Sequence, residues 1–385
     1  MNAVLTTITP VHIGSGVVFN KGIDFIQGAD TLYLLDPAKV FEIIGENHID
    51  KWVAVIQQLS PVASAKNQEI IRFLSQFMPN GKIQPGKLSS RKILLKSPEN
   101  TSSQLREQFR TAMKGACIPG SSLKGAIRTT IFDHLTDQDD FKFNKSHVGF
   151  LPGDRYRFDD AEIEKHLFGK SAHEKSTRFL RIGDVQFENP QLEAHEILIM
   201  NIINRNDEWD FKVGQQFLVE AIPAGSSTKF DFFIDESLLK KNIEKNPALW
   251  PKSKVNYLQP GYSGLCKIIN HTTFSLLKWE LETLSNQHLP DGGEEILETY
   301  ASVLKLSGEL DENEFVIRVG ANSGWIFTTA AWIRKFSEEM EDHEISKLRK
   351  AIQKKDYGDM SIWPKTRKVT SDGQVFGFVR VSLGV

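Results

Sequence analysis

The stretch Ile118-Pro119-Gly120-Ser121-Ser122-Leu123-Lys124-Gly125-Ala126-Ile127-Arg128 constrains this chain more than any other. Pro-Gly ends an extended run, and the serines that follow can cap a helix. Leu123, Ala126, Ile127, Ile131 and Leu135 then recur at helical spacing, which predicts a helix with one buried stripe. Lys124 and Arg128 stand four residues apart on one face of it. Free backbone N–H groups, two hydroxyls and the helix dipole meet at its N-terminus, an arrangement suited to an anion. Gly125 inside a helix costs about 1 kcal/mol relative to alanine, so a close approach is expected there. An ordinary capped helix is the competing reading.

Short strands and helices alternate on either side of this element. Ala3 to Ile8 reads as a strand running into the loop Thr9-Pro10-Val11-His12-Ile13-Gly14-Ser15-Gly16. Two apolar runs, at 23–27 and 31–35, are separated by Gly28-Ala29-Asp30, a hairpin signal. Asp36-Pro37 supplies an N-cap and a proline at the first helical position. Val40, Phe41, Ile44, Trp52, Val55, Ile56 and Leu59 continue at helical spacing. Strand, hairpin and helix in this order point to an α+β fold with antiparallel pairing, ferredoxin-like in arrangement.

Residues 60–115 lose this pattern and read as a basic insertion, and 137–160 is irregular and polar. Strand-like alternation returns at 178–188 and 196–204. Runs at 217–222 and 229–234 flank Pro223-Ala224-Gly225-Ser226-Ser227 as a second hairpin. Beyond Asp235 helical patterns dominate, at 266–284, 294–306 and 328–354, with one strand at 315–319. Two domains are expected, 1–235 and 236–385, the second rich in helix.

The chain has 385 residues and a formal net charge of −2, which by itself argues against a strongly basic nucleic-acid protein. Resolved by segment, the charge tells a different story. Between Lys82 and Arg128 ten basic residues meet two acids, Glu99 and Glu107, a net +8. Between Glu280 and Glu314 ten acids meet only Lys305, a net −9, and the tail from Ser361 carries +3. A basic face attracts a polyanion whatever the total; solvated faces are the plainer explanation. Apolar runs are too short to span a membrane. The first residues lack a basic n-region, so no signal peptide is expected. Two cysteines, Cys117 and Cys266, build neither a disulfide framework nor a zinc site, so a reducing cytoplasm is the expected setting.

Three further glycine turns share the character of the first. Gly14-Ser15-Gly16 follows the first strand. Gly320-Ala321-Asn322-Ser323-Gly324-Trp325 follows the strand at 315–319 but lacks the βαβ setting and acidic partner of a dinucleotide fingerprint. Pro364-Lys365-Thr366-Arg367 leads through Gly377 to a terminal strand. Small turns let backbone approach a ligand closely, and nearby Arg and Lys suit phosphates. Each can also be simply a turn.

Together, Thr9–Gly16 and Pro119-Gly120-Ser121-Ser122-Leu123-Lys124-Gly125-Ala126-Ile127-Arg128 resemble the RAMP superfamily of CRISPR proteins. The resemblance continues through Leu167-Phe168-Gly169, Arg181-Ile182-Gly183-Asp184 and Glu220-Ala221-Ile222-Pro223-Ala224-Gly225. It ends in Gly320…Gly324-Trp325 and Pro364-Lys365-Thr366-Arg367 with Gly377. Order and spacing are most similar to subunit five of the type III-A Csm effector complex, with the corresponding type III-B end subunit as the alternative. The resemblance implies two ferredoxin-like (RRM-like) domains and a crRNA-binding subunit at the crRNA 3′ end, packed on the repeated backbone subunit. It also implies a link to crRNA 3′-end maturation with host nucleases. Its expected RNA contacts are Gly14, Ser15, Gly16, Gly120, Ser121, Ser122, Lys124, Gly125, Arg128 and Arg181. In the C-terminal part they are Gly320, Asn322, Ser323, Gly324, Lys365, Thr366, Arg367 and Gly377. Protein then reads backbone while base pairing reads sequence.

An enzyme reading rests on His12 alone, since metal-independent RAMP endonucleases use a histidine near the first strand to activate a ribose hydroxyl. A packed loop histidine is the expected alternative, and no catalytic residue is assigned. Asp24, Asp30 and Asp36 match no catalytic loop. Asp139-Asp140, Asp159-Asp160 and the scattered His134, His147, His166 and His173 lack metal-ligand spacing, so neither metal nor cofactor is expected. Phe25 and Tyr33 are candidate base-stacking aromatics, with core packing the favoured role.

Overall fold

The computed structural model describes residues 2–57, 67–97, 99, 102–112, 115–138, 149–151, 155–157, 160–188, 190–202, 210–212, 214–286, 293–331, 364 and 366–384. The first strand, Asn2–Thr7, turns Ala3, Leu5 and Thr7 inward and Asn2, Val4 and Thr6 outward, as its alternation requires. It lies at the centre of a five-stranded sheet ordered Leu180–Ile182, Ser227–Ile234, Asn2–Thr7, Phe378–Leu383 and Glu314–Arg318, antiparallel throughout. The main core includes this sheet's Phe230, Phe232, Phe315, Val379 and Val381, together with the expected stripe of the Gly120–Thr136 helix: Leu123, Ile127, Ile131 and Leu135. The long Gly261–Ser285 helix adds Leu265, Cys266 and Ile269 to the same core. Both cysteines are buried and free.

A larger sheet stands beside the first. Its strands run in the order Gly14–Asn20, Gln104–Gln108, Phe217–Ala221, Glu193–Asn201, Ser89–Leu95, Thr31–Leu35 and Phe25–Gln27. Asp210–Phe211 and Thr366–Thr370 also pair with Glu193–Asn201. The first hairpin forms as expected, with Phe25–Gln27 against Thr31–Leu35. Asp36 accepts from the Ala38 N–H at 3.0 Å and caps the Pro37–Ile44 helix. The basic stretch is not an insertion, however: Ser89–Leu95 and Gln104–Gln108 are internal strands of this sheet. Their alternation is hidden because the outward positions carry long cations, among them Arg106, next to the buried Leu95 and Leu105.

The second hairpin is also revised. Phe217–Ala221 and Ser227–Ile234 belong to different sheets. Thr7 is the cause: its hydroxyl donates to the Pro223 carbonyl at 2.5 Å and accepts from the Ser226 N–H at 2.9 Å. The Gly225 N–H donates to the Thr7 carbonyl at 2.7 Å. The turn thus wraps the first strand, and the runs on either side pair with other partners. The run at 178–188 likewise splits, Leu180–Ile182 joining the five-stranded sheet and Val185–Gln186 a small sheet with Gly115–Ile118.

Both sheets take strands from either side of Asp235, so the expected division there is not a break in either sheet. Beyond it, helices Gly261–Ser285 and Gly293–Gly308 and strand Glu314–Arg318 match the expected elements. Most of the helical pattern at 328–354 lies outside the described residues. The acidic segment is largely a solvated helix face: Ile296, Tyr300 and Val303 are buried while Glu294, Glu295 and Glu298 are exposed. No described helix is long and apolar enough to cross a membrane.

Two glycines lock the sheets to the loop after the first strand. At Gly320, with φ +86°, a Cβ would stand 2.5 Å from the His12 carbonyl oxygen. At Gly377, with φ +95°, it would run into the Val319 carbonyl. Gly320→Ala and Gly377→Ala therefore combine left-handed strain with overpacking and should each lower unfolding free energy by about 2–4 kcal/mol in denaturant titration. Wild-type stability in either variant would refute this close packing.

Candidate nucleic-acid interface

The loop after the first strand is where the glycine turns meet. Gly377 donates its N–H to the Pro10 carbonyl at 2.9 Å, and Ala321 donates to the His12 carbonyl at 2.9 Å. Val11 and Ile222 exchange backbone hydrogen bonds at 3.0 and 2.8 Å. The Ile13 N–H donates to Gln108 Oε1 at 2.9 Å. His12 is 1% exposed, and its Nδ1–H donates to the Glu220 carbonyl oxygen at 2.6 Å. Burial, with smaller contributions from Arg106 and Lys368, lowers its pKa to about 4, so the ring is neutral near pH 7. A histidine enclosed in this way positions the loop.

The loop continues outward. Gly14 and Gly16 are exposed, and Gly16 adopts φ +89° with open space where a Cβ would stand. Ser15 Oγ donates to Glu107 Oε2 at 3.0 Å and accepts from the Val17 N–H at 3.0 Å, which fixes the turn. Arg91 bridges Glu107 and Glu220 beneath it, each at 3.1 Å. Burial raises the Glu220 pKa, opposed by Arg91.

The N-terminus of the Gly120–Thr136 helix already holds an anion from its own chain. The Gly120 N–H donates to Asp184 Oδ1 at 2.8 Å, and a Cβ on Gly120 would overlap the Ile182 and Gly183 carbonyls. The expected anion site at this terminus is therefore filled by the carboxylate of Arg181-Ile182-Gly183-Asp184. One turn further the helix is open: nothing lies within 4 Å of where a Gly125 Cβ would stand. Lys124 beside it is half-buried, and burial with the nearby Arg181 lowers its pKa. Arg181 bonds Asp235 at 2.7 Å yet keeps 61% of its side chain exposed, and Arg128 pairs with Glu164 at 3.0 Å. Thr129 Oγ1 donates to the Thr328 carbonyl at 3.1 Å, so the segment after Gly320–Trp325 touches this helix, while the turn itself touches the His12 loop.

The C-terminal candidates divide differently. Arg367 is 5% exposed, and its Nη2 donates to Glu280 Oε2 at 2.8 Å. Tyr300 donates to Glu280 Oε1 at 3.3 Å, and Arg318 Nη1 donates to the Tyr300 hydroxyl at 3.1 Å. Asn322 and Ser323 are buried, the serine hydroxyl donating to the Val319 and Gly320 carbonyls at 2.7 and 2.8 Å. Gly324 and Thr366 are partly exposed, and Lys365 lies outside the described residues. Gly120, Gly320, Asn322, Ser323, Arg367 and Gly377 thus face inward. Gly14, Ser15, Gly16, Ser121, Ser122, Lys124, Gly125, Arg128 and Arg181 form the accessible set.

One cluster escapes sequence reasoning. Arg106 lies with its guanidinium 3.6 Å from the centre of the Phe217 ring, and the Lys368 ammonium lies 6.0 Å from the same ring. The three residues come from strands far apart in sequence, and only the larger sheet's register joins them. The net +8 of the segment containing Arg106 was the available signal. Phe25 is fully buried and Tyr33 is half-buried with the Lys92 ammonium 5.9 Å from its ring, so Phe25 is not a stacking platform. Among the described residues no three His, Cys, Asp or Glu side chains are placed to share a metal ion. Asp139, Asp140, His147 and Asp159 lie outside the described residues.

His12 generates a pH prediction. Its folded pKa lies below the usual 6.5, so the unfolded chain binds the extra proton between pH 6.5 and about 4. Its stabilising effect is intact above pH 6.5 and is lost as pH falls toward 4. The loss should reach about 3 kcal/mol. Unfolding free energies of wild type and His12→Gln, compared from pH 7 to 4, should converge as pH falls. Parallel curves would contradict the buried, neutral imidazole.

Residues 4–248 match the RAMP superfamily. A curated protein of Streptococcus thermophilus, "CRISPR system Cms protein Csm5", is 31% identical over 138 residues, which take in 34% of this chain and 37% of that protein. A chain in the cryo-EM structure of a Csm–crRNA–target RNA ternary complex of a type III-A CRISPR-Cas system superposes with a TM-score of 0.67 at 19% identity, covering 99% of this chain and 100% of that one. The crystal structure of T. onnurineus Csm5 gives 0.60 at 16% identity, covering 98% and 99%. These structural likenesses bear on the fold alone, and they agree with its α+β architecture of two sheets and packed helices. With a family match over well more than half its length, this chain belongs to the RAMP superfamily.

Proposed function

We propose that this chain is a non-catalytic crRNA-binding subunit of a type III-A CRISPR-Cas effector complex, placed at the crRNA 3′ end and packed against the repeated RAMP backbone subunit. In that place it supports assembly and crRNA 3′-end maturation, with host nucleases supplying the cleavage, and so serves antiviral defence. The observation that carries RNA binding is the open face of the Gly120–Thr136 helix. Gly125 leaves backbone accessible there, burial and the charge of Arg181 weigh on the Lys124 ammonium, and Ser121 lies exposed one turn earlier. A phosphate backbone relieves that repulsion and needs no particular base. The partial match to Csm5 and the likeness to a chain of a Csm–crRNA–target RNA complex support the choice of complex.

A metal-independent endoribonuclease acting through His12 fits less well. A general base must reach the proton it removes, and this ring is 1% exposed with Nδ1 committed to Glu220. Incubating the purified chain with labelled repeat RNA in chelator should give no site-specific product. A product abolished by His12→Ala would overturn the non-catalytic reading.

Binding is tested by fluorescence anisotropy with single-stranded RNA. Lys124→Glu combined with Arg181→Glu should weaken binding to unrelated sequences alike, and make the log–log salt slope shallower by about 0.7 for each phosphate no longer neutralised. Gly125→Ala should stabilise the free protein by up to about 1 kcal/mol while weakening RNA binding. Unchanged affinity in both variants would remove this helix face from the RNA path.

A further inference from the structure

Across the larger sheet, paired residues share a face, and the face alternates every residue along a strand. Arg106 pairs with Val219, Phe217 with Ile197, and Lys368 with Ile199. These positions fall on one side of four strands, and Ile197, Phe217, Val219, Ala221 and Phe376 form a small apolar cluster there. Arg106 and Lys368 lie at its margin, the guanidinium 3.6 Å and the ammonium 6.0 Å from the centre of the Phe217 ring.

Four arginines of the chain are matched by acids, and these two cations are not. Arg91 binds Glu107 and Glu220, Arg128 binds Glu164, Arg181 binds Asp235, and Arg367 binds Glu280. Among the described residues Arg106 and Lys368 have no ion pair and no side-chain hydrogen bond. Lys368 is half-buried, and burial followed by the charge of Arg106 lowers its pKa. The same two cations also act on His12, whose Nε2 lies 3.6 Å from where a Gly14 Cβ would stand. Two cations held close together, partly desolvated and without an acid, leave a place that only an anion neutralises.

We propose that Arg106 and Lys368, seated on Phe217, form a clamp for one phosphodiester of single-stranded RNA, adjoining the exposed Gly14–Gly16 turn. The clamp rests on the RNA-binding reading above and adds a second contact, independent of the Lys124 and Arg181 face. It takes a phosphate and not a base: Phe217 is 8% exposed, and its ring already carries the guanidinium. A base would have to displace Arg106 to stack there. The contact is therefore blind to sequence, and Arg106 supplies a fork of donors while Lys368 supplies a point charge.

The test uses the full chain, 5′-fluorescein-labelled oligo(U) and oligo(A), and anisotropy across a salt series. Arg106→Gln with Lys368→Gln should lower affinity roughly tenfold for both strands and reduce the salt slope by about 0.7. Arg106→Lys, which keeps the charge, should retain the slope. NMR titration of the His12 ring supplies a second readout. RNA should raise its pKa in wild type, because a bound phosphate offsets the two cations, and should leave it unmoved in the double variant. Wild-type affinity, slope and His12 response in the double variant would overturn the clamp alone, and so would competition by an acidic peptide but not by RNA. Failure of the wild-type chain to bind any single-stranded RNA would overturn the RNA-binding reading and the clamp with it.

Discussion

Residues Ile8 to Ile13 hold this protein together. Their backbone groups and the His12 ring are bonded to segments at 108–109, 220–222, 321 and 377–378. Each hydrogen bond contributes about 1 kcal/mol net, but leaving such buried groups unmade costs more. Six consecutive residues therefore tie both sheets and the two chain ends into one frame. Gly320 and Gly377 make this possible, since any side chain there would occupy the space of the loop carbonyls or their neighbours. The glycines that look like ligand-binding turns in the sequence are in part the means by which the protein approaches itself.

That frame decides which charges are available. Arg91 and Arg367 are spent inside the protein, on Glu107, Glu220 and Glu280. Asp184 occupies the helix N-terminus at Gly120. The cations left partly open, Lys124 with Arg181 and Arg106 with Lys368, stand next to like charge. A chain with a net charge of −2 thereby presents local sites that favour a polyanion, while the acidic face of the Gly293–Gly308 helix is solvated.

Much of the fold is legible in the sequence, and the exceptions have definite causes. The hairpin at 25–35, the capped helix after Asp36 and the Leu123–Leu135 stripe follow from local rules, because their partners are near in sequence or their periodicity is strong. The strands Ser89–Leu95 and Gln104–Gln108 are obscured by long cations on their outward faces. The strands around Pro223–Ser227 read as a hairpin because nothing local announces that Thr7 will occupy the turn. For the site, glycine and charge signals identify the right segments but not which side chains face out. Arg367 looks as free as Lys368 in sequence, yet only the placement of Glu280, 87 residues away, buries one and leaves the other uncompensated. Phe217 carries no signal of its own, since its role depends on strand register.

Hydrogen–deuterium exchange of the full chain, with and without single-stranded RNA, is the most direct measure of the central claim that RNA follows a path over the exposed glycine turn and the unpaired cations. The account predicts slower exchange at 14–16, 104–108, 121–128 and 366–370, with the acidic Gly293–Gly308 helix unchanged. Protection confined to that helix, or none at RNA concentrations that saturate binding, would contradict it.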